Sequence, residues 1–174
     1  MLEMLVDHRK HAAQQISCAV ITVSDTRTKS TDKSGKKIME FLQKYDHQVN
    51  LYKIVPDESD QIRFAVEKAI YSEKIDAVIV NGGTGISYRD VTIESIEPLF
   101  DKQLPGFGEL FRHLSFQCDI GTASILSRAT CGVANHCVIF SIPGSTGAVT
   151  LAMEKIILPE IGHIVKEIHK DIDG

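Results

Sequence analysis

Over residues 17–80, three apolar runs of strand length alternate with segments of helical period, and this alternation limits the chain to very few folds. The runs are residues 17–23 (SCAVITV), 49–55 and 76–80 (DAVIV), the second stopped by Pro56. Between them, residues 34–45 carry Ile38, Phe41 and Leu42 at i, i+3 and i+4, which is one face of a helix. Ser59 is placed to cap a second helix with the buried stripe Ile62, Ala65, Val66, Ala69 and Ile70. Such β-α-β-α-β order demands a parallel sheet, and near-continuous apolar strands are those of a sheet buried on both faces. The fold class expected is α/β, a three-layer αβα arrangement.

The second half is less regular. Residues 92–100 read as a short helix, and Phe107, Leu110, Phe111 and Leu114 form a helical stripe suited to core or subunit interface. Residues 123–126 also read as helical. Residues 129–133 and 137–142 are strand candidates around a turn at 134–136. A long helix is expected over 146–168, kinked at Pro159, its last two turns burying Ile161, Ile164, Val165 and Ile168. One domain over 16–170 is expected behind a polar extension, residues 1–15, with no apolar core of a secretory signal.

In parallel sheets ligands sit beyond the C-terminal strand ends. That rule selects Ser24-Asp25, Pro56-Asp57-Glu58 and the segment from Gly82 to Asp90. Asn81-Gly82-Gly83-Thr84-Gly85 follows a buried strand. Its glycines let backbone N–H groups face a phosphate, with the Thr84 hydroxyl as a further donor, or they simply make a tight turn. It is neither a Walker loop nor a dinucleotide fingerprint. Arg89 can neutralise phosphate and Asp90 can hold a divalent cation; alternatively Asp90 or Thr92 caps the next helix and Arg89 is solvated. Asp57-Glu58 carries the same two readings. The topology brings these loops to one sheet edge, and Mg²⁺ takes one or two carboxylates plus phosphate oxygens. Pro143-Gly144-Ser145 joins a strand to a helix and offers another anion site.

Composition excludes several alternatives. With 19 basic and 23 acidic residues the net charge is −4, which argues against general affinity for nucleic acid or anionic membrane. Cys18, Cys118, Cys131 and Cys137 form no C-x-x-C pair and read as core thiols in a reducing cytoplasm. The histidines, His113 and His136 among them, form no zinc-enzyme motif.

Taken in order, Ser24-Asp25-Thr26-Arg27, Asp32-x-Ser34-Gly35, Val55-Pro56-Asp57-Glu58 and the run from Gly82 through Arg89-Asp90-Val91-Thr92-x-Glu94 resemble the MoaB/MogA family of molybdenum cofactor biosynthesis proteins. The likeness continues through Gly106-Phe107-Gly108-Glu109, Arg112-x-x-Ser115, Leu126-Ser127-Arg128 and Pro143-Gly144-Ser145, with the MoaB branch the nearer. Asn81 and Ile93 stand where threonine and proline are common. The resemblance implies a mixed, mainly parallel sheet and a reaction in which Mg²⁺-ATP adenylylates molybdopterin and pyrophosphate leaves. It implies that Asp57 and Asp90 are the catalytic, Mg²⁺-binding pair. Gly82, Gly83, Thr84, Gly85, Pro143, Gly144 and Ser145 would bind nucleotide or phosphate; Ser24, Asp25, Arg89, Ser115 and Ser127 would contact substrate. It further implies a homo-trimer or homo-hexamer, with residues 107–116 as a contact, and hand-over to a MoeA-type insertase. Some MoaB-branch members lack both carboxylates, so a non-catalytic molybdopterin- or nucleotide-binding protein is the alternative.

Overall fold

The computed structural model describes residues 15–171; the expected N-terminal extension lies outside them except for Gln15. Six strands form one sheet in the order β2-β1-β3-β6-β5-β4: β1 Ser17–Val23, β2 Gln48–Val55, β3 Ala77–Asn81, β4 Lys102–Gln103, β5 Thr130–Ala134 and β6 Cys137–Ile142. β2, β1, β3 and β6 are mutually parallel, while β5 and β4 run antiparallel at one edge. The sheet is thus mixed and mainly parallel, as expected, although the two-residue β4 has no signal in the sequence.

Side chains alternate across a strand, and on β1, β3 and β6 both sets are buried. Cys18, Val20, Ile79, Val138 and Phe140 face a layer made by α1 (Lys33–Lys44), α4 (Pro105–Cys118), α5 (Thr146–Ala152) and α6 (Leu158–His169). Ala19, Ile21, Val78, Val80 and Ile139 face α2 (Ser59–Ile70) and Ile96 of the short α3 (Thr92–Ile96). The three-layer sandwich follows directly. Burial also disposes of three thiols: Cys18, pushed up to about 12, Cys131 and Cys137 lie in the core, whereas Cys118 is exposed. Among the described residues no helix is long and apolar enough to cross a membrane.

Several local expectations are corrected. Glu58, not Ser59, is the N-cap of α2, and it makes no side-chain cap bond. The helix expected over 146–168 is two helices joined by a π turn, Met153–Ile157. Pro159 lacks the N–H that an α-helix would require and its ring crowds the preceding turn, so the chain widens just before it. Of that helix's expected stripe, Ile161 and Val165 are buried, while Ile164 and Ile168 pack against the core only in part. Residues 123–126 belong to a 3-10 helix, Gly121–Leu126. The β5–β6 turn centres on Asn135 and His136, with φ of 45° and 63°, as a two-residue hairpin with that handedness requires. Phe107 and Phe111 are core, with Phe107 5.3 Å from Phe140 between ring centroids, whereas Phe116 is exposed.

A buried polar network ties α1 to the sheet. Asp32 caps α1 by accepting from Gly35 N–H at 3.0 Å, and also accepts from Thr22 Oγ1 (2.6 Å), Tyr52 OH (2.7 Å) and Ser34 Oγ (3.2 Å). Burial opposes its charge, but those bonds outweigh burial and hold the carboxyl below the usual range. Because the native-state value is depressed, its stabilisation is complete above the unfolded-state value and is lost as pH falls through the native one. Asp32→Asn should cost about 1.5–3 kcal/mol at neutral pH, the scale of hydrogen bonds to a charged group. The deficit should shrink on acidification. Urea melts of both proteins across that range check it, and identical midpoints at neutral pH would show that the network adds nothing.

Candidate functional site

Parallel register sets the site. Val23 pairs with Val55, and Thr22, Asn81 and Ile142 lie level across β1, β3 and β6. Their following loops therefore emerge side by side, where the strand order reverses between β1 and β3, the usual ligand crevice of an open α/β sheet. A cavity of about 500 Å³ lies there, lined by Ser24, Thr26, Arg27, Asp57, the Gly82–Gly85 loop, Asp90, Ser127, Pro143 and Gly144. Ile120, Ala123 and Leu126 make an apolar wall.

The glycine loop is packed too closely for side chains. Gly82 and Gly83 have φ of 96° and 62°, and a Cβ on Gly82 would lie 2.3 Å from the Val23 carbonyl oxygen. A Cβ on Gly83 would lie 2.3 Å from Thr92 Oγ1 and 2.8 Å from Asp57 Oδ1; one on Gly85 would lie 2.6 Å from Asp90 Oδ2. Both carboxylates thus rest on loop glycines. Gly82 N–H is consumed by Ile142 O at 3.1 Å, and the Gly82 carbonyl accepts from Thr92 Oγ1 at 2.9 Å. Among the described residues, the N–H groups of Gly83, Thr84 and Gly85 have no protein acceptor.

The helix-cap readings of the two carboxylates are not borne out. Val91 is the N-cap of α3 and makes no side-chain cap bond. Thr92 instead ties down the glycine loop. Asp90 accepts from Ser87 N–H at 2.9 Å, closing its own turn. Asp57 and Asp25 hold each other's loops: each carboxylate accepts the other's backbone N–H at 3.0 Å. Arg89 is not simply solvated. It forks onto Asp25 at 3.0–3.1 Å and reaches Glu58 at 2.9 Å.

The charges are poised unequally. Asp25 is held below the usual carboxylate range, first by the Asp57 N–H and then by Arg89. Asp57 is pushed up, by burial first and by the neighbouring carboxylates of Asp25 and Asp90, against the Asp25 N–H and Arg89. Two carboxylates beside unpaired backbone N–H groups suit a divalent cation carrying phosphate. Among the described residues no group of three or more His, Cys, Asp or Glu could cage a metal alone. A Mg²⁺ ion here would need phosphate or water oxygens as well, which is its usual habit.

The other expected residues are distributed unevenly. Ser24 lines the cavity, and its hydroxyl accepts from Thr26 and Arg27 N–H. Ser127 lines it too. Ser145 does not; its hydroxyl accepts from Ala148 N–H at 3.2 Å as the cap of α5. Ser115 is buried in α4, its carbonyl accepting from Asp119 and Ile120 N–H where the chain turns toward the cavity. Asp25 and Arg89 stand just outside the lining. Arg27 was not among the expected site residues. It reaches Gly144 O at 2.9 Å and is held by Asp32 and a short bond to Ser34, with its guanidinium in the cavity wall. Its signal was the Ser24-Asp25-Thr26-Arg27 run followed by Asp32-x-Ser34.

The chain matches a family model described as "Probable molybdopterin binding domain" over residues 19–163. A Bacillus subtilis (strain 168) protein named molybdenum cofactor biosynthesis protein B is 56% identical, over 95% of this chain and 97% of that one. A crystal structure of a molybdenum cofactor biosynthesis protein B superposes with a TM-score of 0.89 at 50% identity, covering 91% of this chain and 98% of that one. The Pyrococcus furiosus tungsten cofactor synthesizing protein MoaB gives 0.80 at 45% identity, over 89% and 98%. A MogA structure gives 0.79 at 28% identity, over 87% and 99%. With a loop-built crevice at the strand ends and relatives matched along nearly their whole length, the chain belongs to the MoaB/MogA family of molybdenum cofactor biosynthesis proteins, on its MoaB side.

Proposed function

We propose that this protein is a molybdopterin adenylyltransferase, converting molybdopterin and Mg²⁺-ATP into adenylylated molybdopterin and pyrophosphate. The observation that carries this reading is that Asp57 and Asp90 cap no helix, although each precedes one, and both rest on the glycine loop in the lining of one cavity. A terminal phosphate oxygen of molybdopterin attacks the α-phosphorus of ATP. The new P–O bond forms as the bond to the β-phosphate oxygen breaks, and pyrophosphate departs.

The protein's task is alignment and charge neutralisation, since two anions must meet. Mg²⁺, held by Asp57 and Asp90, would supply positive charge between phosphates. The N–H groups of Gly83, Thr84 and Gly85 donate to phosphate oxygens, and Arg27 adds a fixed cation beside Gly144. Ser24 and Ser127 offer hydroxyls, and the Ile120, Ala123 and Leu126 wall gives a flat ring an apolar surface. Arg89 keeps Asp25 paired, leaving Asp57 as the carboxylate that most needs a cation.

The same reading places the protein in the cytoplasm, which suits its free thiols, and makes a MoeA-type insertase the recipient of the product. We also assign it a homo-oligomer, trimer or hexamer. Phe107 and Phe111 cannot serve the contact, because they are buried within the chain. Leu110, Phe116 and Ile125 remain exposed outside the cavity and are the better candidates.

Asp57→Asn and Asp90→Asn should each fold and bind molybdopterin, while turnover falls roughly 10²–10³-fold, the scale for one well-placed electrostatic group. For Asp57 the native-state value is raised, so its ionised form weakens folding at neutral pH. Asn should therefore melt no lower than wild type there, with any gain vanishing in acid. Pyrophosphate release, pterin binding and melting temperature measured on one preparation decide. Near wild-type turnover in both variants would leave the non-catalytic binding protein as the better reading. EDTA should abolish turnover and added Mg²⁺ restore it; full activity in metal-free buffer contradicts the scheme. Light scattering at micromolar concentration should report a multimer, and Phe116→Asp should shift it toward monomer.

A further inference from the structure

Resting on the transferase reading, we infer that Arg128 is a positioning residue that sets the Gly85 N–H and the Asp90 turn without touching substrate. Its side chain does not line the catalytic cavity. It lines a separate one of about 280 Å³ behind the site, together with Arg112, Glu97 and Thr130.

From there its planar fork reaches three segments. Nε donates to Thr84 O at 3.0 Å, and Nη2 donates to Asp90 O at 3.2 Å and Glu94 Oε2 at 3.3 Å. Nη1 closes the pair with Glu94 Oε1. One guanidinium therefore joins the glycine loop, the turn that carries Asp90, and α3. Glu94 holds the fork in orientation, and its own carboxyl is lowered by that bond.

The consequence passes through the peptide plane. In a trans peptide unit the carbonyl and the following N–H point in opposite directions. With Thr84 O turned back to Arg128, the Gly85 N–H is turned away from it, toward the cavity that Gly85 lines. That N–H has no protein acceptor among the described residues. The same charge polarises the peptide and strengthens the donor. Gly85 also lies against Asp90 Oδ2, so the loop and the carboxylate move together. A lysine cannot substitute, because a single ammonium lacks the flat fork that spans three acceptors.

The test uses Arg128→Lys, Arg128→Ala and Glu94→Gln in the full chain. Two readouts are needed: amide hydrogen exchange over residues 83–91 without ligand, and pyrophosphate release from ATP and molybdopterin with Mg²⁺ titrated. Arg128→Lys should keep a near wild-type melting temperature yet exchange the Ser87 and Asp90 amides, which close the Asp90 turn, faster. Its turnover should fall by about 10–100-fold, as for groups that orient metal ligands, and half-maximal activity should need more Mg²⁺. Glu94→Gln should shift both readouts in the same direction by less, and guanidinium ion should partly restore Arg128→Ala. Wild-type exchange at Ser87 and Asp90 in Arg128→Lys and Glu94→Gln overturns the inference, as does a turnover loss that follows melting temperature alone. Absence of turnover in the wild type would sink the transferase reading but leave the exchange measurement to decide on Arg128.

Discussion

Everything in this molecule depends on the two-sided burial of its central parallel strands, β1, β3 and β6. A strand covered on both faces must be apolar at every position, so its polar work is pushed to its ends. Thr22 and Asn81 mark that boundary. Thr22 is the last but one residue of β1 and Asn81 the last of β3; both are fully buried, and their side chains bond each other, Ser34 and Asp32. Parallel register then delivers the loops together. Nothing in the loops themselves would bring Asp57 and Asp90, 33 residues apart, to one cavity; the level ends of β1, β2 and β3 do.

The loops that carry Asp57 and Asp90 into the cavity lining make no side-chain helix caps. Asp32 and Ser145 cap α1 and α5 with their side chains, so this chain uses such caps readily. At α2 and α3, whose N-termini border the cavity, Glu58 and Val91 hold the cap positions and make no side-chain cap bond. A cap is worth about 1 kcal/mol, so its omission twice at one edge is a measurable sacrifice of stability. Asp57 and Asp90 are instead fixed by single backbone N–H groups, which leaves acceptor capacity turned to the cavity. Arginines complete the frame: Arg89 on Asp25 and Glu58, Arg27 on Asp32 and Gly144, Arg128 on Glu94 and two carbonyls.

The first half of the fold was legible because its periods are clean. Ser17–Val23 and the α2 stripe follow from residue spacing alone, and the loop rule for parallel sheets then points to Ser24, Asp57 and the glycines. The second half was less so, for identifiable reasons. β4 has two exposed residues and owes its existence to pairing with β5, which no local pattern encodes. The π turn comes from Pro159, two residues beyond its end and inside a continuous helical period, so the sequence shows a kink but not how the ladder adapts. Phe107 and Phe116 look alike in the sequence; only the rotation of α4 against Phe140 buries one and exposes the other. Arg27 and Arg128 escaped as site residues because their roles lie in contacts made 117 and 44 residues away, to Gly144 and Thr84.

The acidic pair bears on catalysis against mere binding through electrostatics. Molybdopterin and ATP are both anions, and a site that only held them would gain by carrying neutral or basic groups where Asp57 and Asp90 stand. Burial already opposes the charge of Asp57, and Asp25 and Asp90 add repulsion. Each glycine that admits a carboxylate to the loop, Gly83 for Asp57 and Gly85 for Asp90, also carries the backbone freedom lost on folding. Such an arrangement opposes both folding and anion binding unless a cation joins the carboxylates to the phosphates. With the cation in place the signs reverse: the acids anchor it, the freed N–H groups take the remaining phosphate oxygens, and charge developing between two phosphates meets a preorganised environment. The carboxylates are thus unfavourable in a site that binds these anions alone and useful in one that works through Mg²⁺, as the proposed transfer does.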